Sequence, residues 1–185
     1  TTMRPASAVL GLGVHDVIIA HSEERAAKVA ALRTVSSDDT AIQAAVHAEL
    51  QQEIHAAQRA GLTVLYCVGE SAAARDDGSW QAVLQQQLTF DPQLVDVTKL
   101  QIAYEPIWAI GPNRPVPDGE SIQAVAADIH QLVGATVPVI YGGGLKAANA
   151  EEIASLPAVD GGLIALTNCS EHIGFYPEQF VEIVQ

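Results

Sequence analysis

The chain has 185 residues, close to half of them apolar, with 9 basic against 22 acidic side chains and a formal charge of −13. That length suits one domain with a sizeable core, read here as residues 1–185 in a single unit. So acidic a balance argues against nucleic acid or an anionic membrane as partner, and no apolar run approaches the roughly 20 residues of a membrane-spanning helix.

The opening Thr1-Thr2-Met3-Arg4-Pro5 lacks the charged region and apolar block of a signal peptide. Val14–Ala20 reads as a first strand that ends at His21, with Ser22-Glu23-Glu24-Arg25 as a polar helix start and Ser22 as its candidate cap. Thr40–Arg59 is a helix, because Ile42, Val46, Leu50 and Ile54 recur at four-residue spacing and form one apolar face. Asp38 and Asp39 are its cap candidates and Gly61 its terminator. Thr63–Val68 is the second strand, with Cys67 as a small core residue. A helix over Gln81–Leu88 follows, then a third strand over Leu100–Glu105 that must stop at Pro106, which has no N–H. Gly119-Glu120-Ser121 opens a helix that runs through Ser121–Val133. Val137–Tyr141 and Gly162–Leu166 are the fourth and fifth strands, and Asn149–Leu156 and Pro177–Val184 the last helices.

These strands are continuous apolar runs rather than alternating ones, as in strands buried on both faces. Strand and helix alternate, so the class is α/β with parallel βα units. No Gly/Ser-rich linker divides the chain. His47, His55 and His130 fall within helical patterns and read as solvated or partly buried surface residues, while His15 and His172 lie at element edges. Cys67 and Cys169 lack metal-ligand spacing, and a reduced, cytoplasmic setting follows as the default.

The stretch Ala103-Tyr104-Glu105-Pro106-Ile107-Trp108-Ala109-Ile110-Gly111 carries the most chemistry. A carboxylate at a strand's end, beside a stiff proline and a bulky tryptophan, is placed to act as a general base under a moving loop. Pro106–Val116 reads as that lid, with Ile107 and Trp108 as anchors and Ala109–Gly111 as a tip whose N–H groups reach a ligand. Taken alone, the same stretch also fits a strand end with a solvated glutamate, and His21 alone fits a structural histidine. No metal-ligand cluster and no dinucleotide fingerprint is present, so neither metal nor organic cofactor is expected; Gly142-Gly143-Gly144 is not spaced for a Rossmann turn.

The two stretches together resemble the triosephosphate isomerase family, whose signatures are an AYEPxWAIG run and a GHSERR run. Leu65-Tyr66-Cys67-Val68-Gly69-Glu70 is similar to its CIGE strand, Tyr141-Gly142-Gly143-Gly144 to its YGGS, and Asp160-Gly161-Gly162-Leu163-Ile164 to its final DGxLV strand. The resemblance implies a (βα)8 barrel, a homodimer, and isomerisation of glyceraldehyde 3-phosphate and dihydroxyacetone phosphate in glycolysis and gluconeogenesis. It implies Glu105 as the base and His21 as a neutral electrophile, a division of roles for which triosephosphate isomerase is itself the standard example. Glu23 is implied as a support through hydrogen bonds, and Glu70 as structural rather than the base. Gly111, Gly144, Ala165 and Leu166 align with substrate-binding positions. Isomerisation of a related short sugar phosphate, or a non-catalytic barrel remnant, is the alternative.

The chain departs from the family in several places. A barrel of this type takes about 250 residues, roughly 65 more than are present, and the five strands align with strands four to eight. Strands one to three, and the strand-one lysine that offsets substrate charge, are therefore expected to be missing from an incomplete barrel. Glu24 replaces the first arginine of the HSERR run, Gly144 the serine of YGGS, and Ala165 and Leu166 the paired glycines of the phosphate loop. Pro112 and Asn113 replace the usual threonine and glycine near the lid tip.

Overall fold

The computed structural model describes residues 6–111, 114–165, 167–168, 174–175 and 177–184. Five parallel strands lie side by side in chain order: β1 (Asp16–Ile19), β2 (Thr63–Val68), β3 (Leu100–Tyr104), β4 (Val139–Tyr141) and β5 (Gly161–Gly162). The helices are α1 (Ala6–Leu10), α2 (Ser22–Arg33), α3 (Asp39–Arg59), α4 (Ala72–Asp76), α5 (Trp80–Leu88), α6 (Gly119–Val133), α7 (Ala147–Ala154) and α8 (Pro177–Val184). A short antiparallel pair, β6 (Thr167–Asn168) and β7 (Gly174–Phe175), follows β5. Every step between neighbouring parallel strands passes through at least one helix, as parallel pairing requires. This is the α/β sheet expected of five consecutive βα units of the barrel.

The sheet's register sets the buried side chains in rows. Tyr66 pairs with Ile102, and Ile102 with Val139, and all three are fully buried on one face, whereas Leu65, Gln101 and Ile140 on the other face are half-buried and Ile18 is exposed, so burial on both faces is only partly met. Ile42, Val46, Leu50 and Ile54 of α3 are buried on one face as their spacing predicts, and Ile122, Val125, Ala126 and Ile129 of α6 form a second such face. The Asp38 carboxylate accepts from the Ala41 N–H at 3.0 Å and so caps α3. Gly61 follows that helix with φ +85°, the left-handed conformation that ends a helix at little cost to glycine.

Some expected bounds shift. β1 is four residues rather than the seven of Val14–Ala20, and its Ile18 is 52% exposed. As an outer strand it pairs with β2 alone, over Asp16–Ile19. β4 begins two residues late, after Pro138, which lends its carbonyl to Ile102 N–H at 2.8 Å but has no N–H to give. The fifth strand is Gly161–Gly162 rather than Gly162–Leu166, since pairing with β4 ends at Gly162; Leu166 lies outside the described residues. So do Thr1–Pro5, Pro112, Asn113, Cys169 and His172. His47, His55 and His130 are partly buried, each with a ring nitrogen against a backbone carbonyl, of Thr89, Leu94 and Ala158 respectively.

Candidate active site

The C-terminal ends of β1, β2, β3 and β4 converge on Glu105. Its backbone is held on both sides: the Glu105 N–H donates to Val68 O at 2.7 Å, and the Gly142 N–H donates to Tyr104 O at 2.8 Å. Glycine flanks it because nothing larger fits. A Cβ on Gly69 would lie 1.8 Å from Glu105 O, and one on Gly142 would lie 2.9 Å from Glu105 Cγ. The strand-end signals in the sequence thus serve a close approach of three chains around one carboxylate.

The Glu105 side chain is 4% exposed and its Oε1 stands 3.5 Å from His21 Nε2, whose side chain is 41% exposed. Burial pushes the Glu105 carboxyl above the usual carboxylate range; His21, the Cys67 thiol, the Ser22 N–H and Arg25 pull it partly back. A carboxylate kept out of water but not quenched is a stronger base than a solvated one. His21 is the N-cap of α2, and its Nδ1 accepts from the Glu23 N–H at 3.4 Å. A ring that accepts at Nδ1 carries its proton at Nε2 when neutral, so the N–H of His21 faces the carboxylate and the space beside it. The cap is therefore His21, not Ser22, which stands at the first helical position and turns its N–H toward Glu105. Glu23 takes part through its backbone, while its side chain is exposed.

The turn that follows Glu105 is anchored firmly. Pro106 has φ −61° and leads into a single 3-10 turn over Ile107–Ala109. The Ile107 N–H donates to Glu70 O at 3.1 Å, and the Trp108 indole N–H donates to Glu70 Oε1 at 2.8 Å. Ile107 is anchored by backbone, since its side chain is exposed; Ala109, read as part of a mobile tip, is buried. Glu70, fully buried, also accepts from the Tyr104 hydroxyl at 3.1 Å and lies 3.8 Å from the Arg75 guanidinium. Arg75 stacks over the rings of both Trp80 and Trp108.

Gly111 and Gly144 have positive φ, +112° and +56°. A Cβ on Gly144 would touch Val116 Cγ2 at 3.5 Å and Ala109 O at 3.8 Å, so Gly144 lies against the two ends of the segment that contains Gly111. Ala165 is exposed beyond β5, and Leu166 lies outside the described residues. The structure brings His21 and Glu105 together and sets Gly144 against Ala109 and Val116. Two contributors escape a reading of sequence alone. Cys67 is more than core filling: its thiol faces Glu105, and burial together with that carboxylate pushes its pKa far up. Arg25 donates to Ala20 O at 3.1 Å and to Cys67 O at 2.9 Å, tying β1 to β2 just below the site. The register that sets Cys67 beside Ala103 was the only signal for the first, and it becomes visible once the strands are aligned in parallel.

Residues 1–185 match the family model described as triosephosphate isomerase. The triosephosphate isomerase of Nostoc sp. is 39% identical over 153 residues, covering 83% of this chain and 57% of that protein. That of Synechocystis sp. is 34% identical over 179 residues, covering 97% of this chain and 65% of that protein. That of Alkalilimnicola ehrlichii is 36% identical over 187 residues, covering 94% of this chain and 64% of that protein. The chain spans about three fifths of the length of the curated relatives it matches.

Proposed function

The chain belongs to the triosephosphate isomerase family, and we propose on that footing that its site interconverts glyceraldehyde 3-phosphate and dihydroxyacetone phosphate. The observation that carries the reading is the buried Glu105 carboxylate 3.5 Å from His21 Nε2 at the ends of β3 and β1. Glu105 removes a proton from the carbon beside the substrate carbonyl. The neutral His21 Nε2–H donates to the carbonyl oxygen as it gains charge, giving an enediolate. Glu105 then returns the proton to the neighbouring carbon while the hydroxyl proton passes from the second oxygen to the first by way of His21, so no electrons leave the substrate and no cofactor is consumed. The loop from Pro106 to Val116 excludes water during the reaction, its first hinge fixed by Glu70.

Gly111, Gly144, Ala165 and Leu166 are the substrate-binding positions of this proposal, and the two glycines offer backbone N–H groups to the phosphate. Residues 1–185 form one domain of the barrel, in a cytoplasmic homodimer.

The test is solvent-deuterium incorporation and turnover with glyceraldehyde 3-phosphate, with the fold checked by circular dichroism. Glu105→Asp retracts the carboxylate by about one methylene, and a displacement near 1 Å costs on the order of a hundredfold in rate. His21→Gln should lower kcat more than it raises KM. A folded Glu105→Ala variant that turns over as fast as the parent removes Glu105 as the base; a His21→Gln variant that changes KM alone makes His21 a binding residue.

A further inference from the structure

The residue before His21 is strained, and the proposed chemistry does not use what holds it there. Ala20 has φ +69°, the one described non-glycine residue in the left-handed region, where a Cβ crowds the following carbonyl. Both of its backbone groups are tied to side chains of α2. Its N–H donates to Glu24 Oε2 at 2.7 Å, and its carbonyl accepts from Arg25 Nε at 3.1 Å.

Glu24 is itself braced from a second helix. Its Oε1 lies 3.8 Å from Lys28 Nζ, and Lys28 reaches Glu49 Oε1 at 2.6 Å and Glu53 Oε1 at 2.7 Å, both on α3. The Lys28 side chain is 13% exposed. Burial pulls the Lys28 ammonium down, but its bonds to Glu49 and Glu53 outweigh this and leave its pKa raised. Burial raises the Glu53 carboxyl, Lys28 lowers it and nearby Glu24 raises it further. A chain of charged contacts thus runs from α3 through Lys28 and Glu24 to the Ala20 N–H. An arginine, which the GHSERR signature carries where this chain has Glu24, has no acceptor for an N–H. The arrangement depends on the departure noted in the sequence.

We propose that Glu24 is a positioning residue for His21: its carboxylate, fixed by Lys28 to α3, holds Ala20 left-handed and so aims the imidazole at Glu105. A residue released from φ +69° to an ordinary negative φ turns the chain that follows it through more than a right angle. His21, next in the chain, is carried away from its place 3.5 Å from the carboxylate. The catalytic consequence rests on the isomerase reading, whereas the positioning itself does not.

The test uses the 185-residue chain and two readouts that need no turnover: hydrogen exchange of the Ala20 amide, and the ring nitrogen shifts of His21 by NMR. In the unaltered chain the Ala20 amide should exchange at least a hundredfold more slowly than an open peptide. In Glu24→Ala that protection should vanish and the His21 ring signals should move. Glu24→Gln retains an acceptor oxygen and should keep both close to the parent. Glycine takes φ > 0 about as readily as φ < 0, so adding Ala20→Gly to Glu24→Ala should return the His21 signals toward the parent, which a purely structural role does not foresee. An unprotected Ala20 amide in the unaltered chain overturns the proposal, whatever the variants do. So do unmoved His21 signals in Glu24→Ala, or no recovery on adding Ala20→Gly. Where the chain isomerises substrate, Glu24→Ala should lower kcat about tenfold with KM nearly unchanged. A parent chain that shows the NMR signature without turnover leaves the positioning standing and counts against the isomerase reading alone.

Discussion

Replacing Glu70 by alanine should destabilise this protein by about 3 kcal/mol and loosen the loop that follows Glu105. Glu70 is fully buried, and its Oε1 accepts from the Tyr104 hydroxyl at 3.1 Å and the Trp108 indole at 2.8 Å, with the Arg75 guanidinium at 3.8 Å. Hydrogen bonds to a charged group contribute roughly 1.5–3 kcal/mol each, which for two bonds sums to about 3–6 kcal/mol. Against this stands the cost of burying the carboxylate, made worse because Oε2 has no hydrogen-bond partner among the described residues. Removing one member of a buried charged set costs about 3–5 kcal/mol, since the others remain unpaired. Arg75 is 26% exposed and recovers some hydration, which places the estimate at the low end. For a chain of this size about 3 kcal/mol corresponds to a fall in Tm of roughly 6–12 °C. Glu70→Gln should cost less, because an amide oxygen can still serve Trp108 and Tyr104. The assay is equilibrium urea unfolding followed by far-UV circular dichroism, with tryptophan emission as a second probe; the two tryptophans, Trp80 and Trp108, both stack on Arg75. A loss under about 1 kcal/mol with unchanged emission, or a Glu70→Gln variant more stable than the parent, would show that desolvation outweighs these contacts and that Glu70 does not anchor the hinge.

Glu105→Gln should stabilise the protein at neutral pH and not in acid. Burial raises the folded carboxyl above its unfolded value near 4.5, so as pH climbs past that value the unfolded chain ionises first and the parent loses stability until the folded group ionises too. The variant's advantage in urea midpoint should therefore appear above about pH 4.5 and level off once the folded group has ionised, and a parent that gains on the variant as pH rises refutes the raised pKa. Gly142→Ala places a Cβ where it would meet Glu105 Cγ at 2.9 Å, so it should displace the base and cut isomerisation at least tenfold while far-UV circular dichroism stays near the parent's. Full activity in that variant shows that the carboxylate has room to shift without loss.

Most of the sheet was legible because its strands are continuous apolar runs, although only one face is fully buried, and Thr63–Val68 is found with the bounds its sequence suggests. The outer strands were less so: Val14 and Ala20 flank a run that pairs on one side only, and nothing in their composition marks where pairing stops. Helix α2 shows the opposite failure. It is rich in alanine and has no fully buried residue, so the periodic apolar stripe that disclosed α3 is missing, and only its polar start could be read. In the site, His21 and Glu105 stood out by their place at strand ends and in two motifs. The contacts that tune them did not. The role of Cys67 depends on strand register, that of Glu70 on a tryptophan 38 residues later, and that of Glu24 on the backbone of a residue four positions earlier. Such facts arise from folding and leave no local pattern.

The charge of the chain sharpens what the site must do. With a formal charge of −13, the long-range field opposes a phosphorylated substrate. Three cations of the described residues are already engaged in structure. Arg25 binds the carbonyls of Ala20 and Cys67, Lys28 is enclosed by Glu49 and Glu53, and Arg75 is stacked between two indoles beside Glu70. Each is thereby held by neighbouring acidic or backbone groups or by aromatic rings. On the proposed isomerase reading, attraction for a phosphate falls to backbone N–H groups, a role we propose for Gly111 and Gly144. Both adopt a positive φ that a side chain would resist, although a Cβ on Gly144 would meet Val116 only at ordinary contact distance. A serine at Gly144 would meet the positive φ and not a lack of space, so the backbone conformation is what favours glycine there.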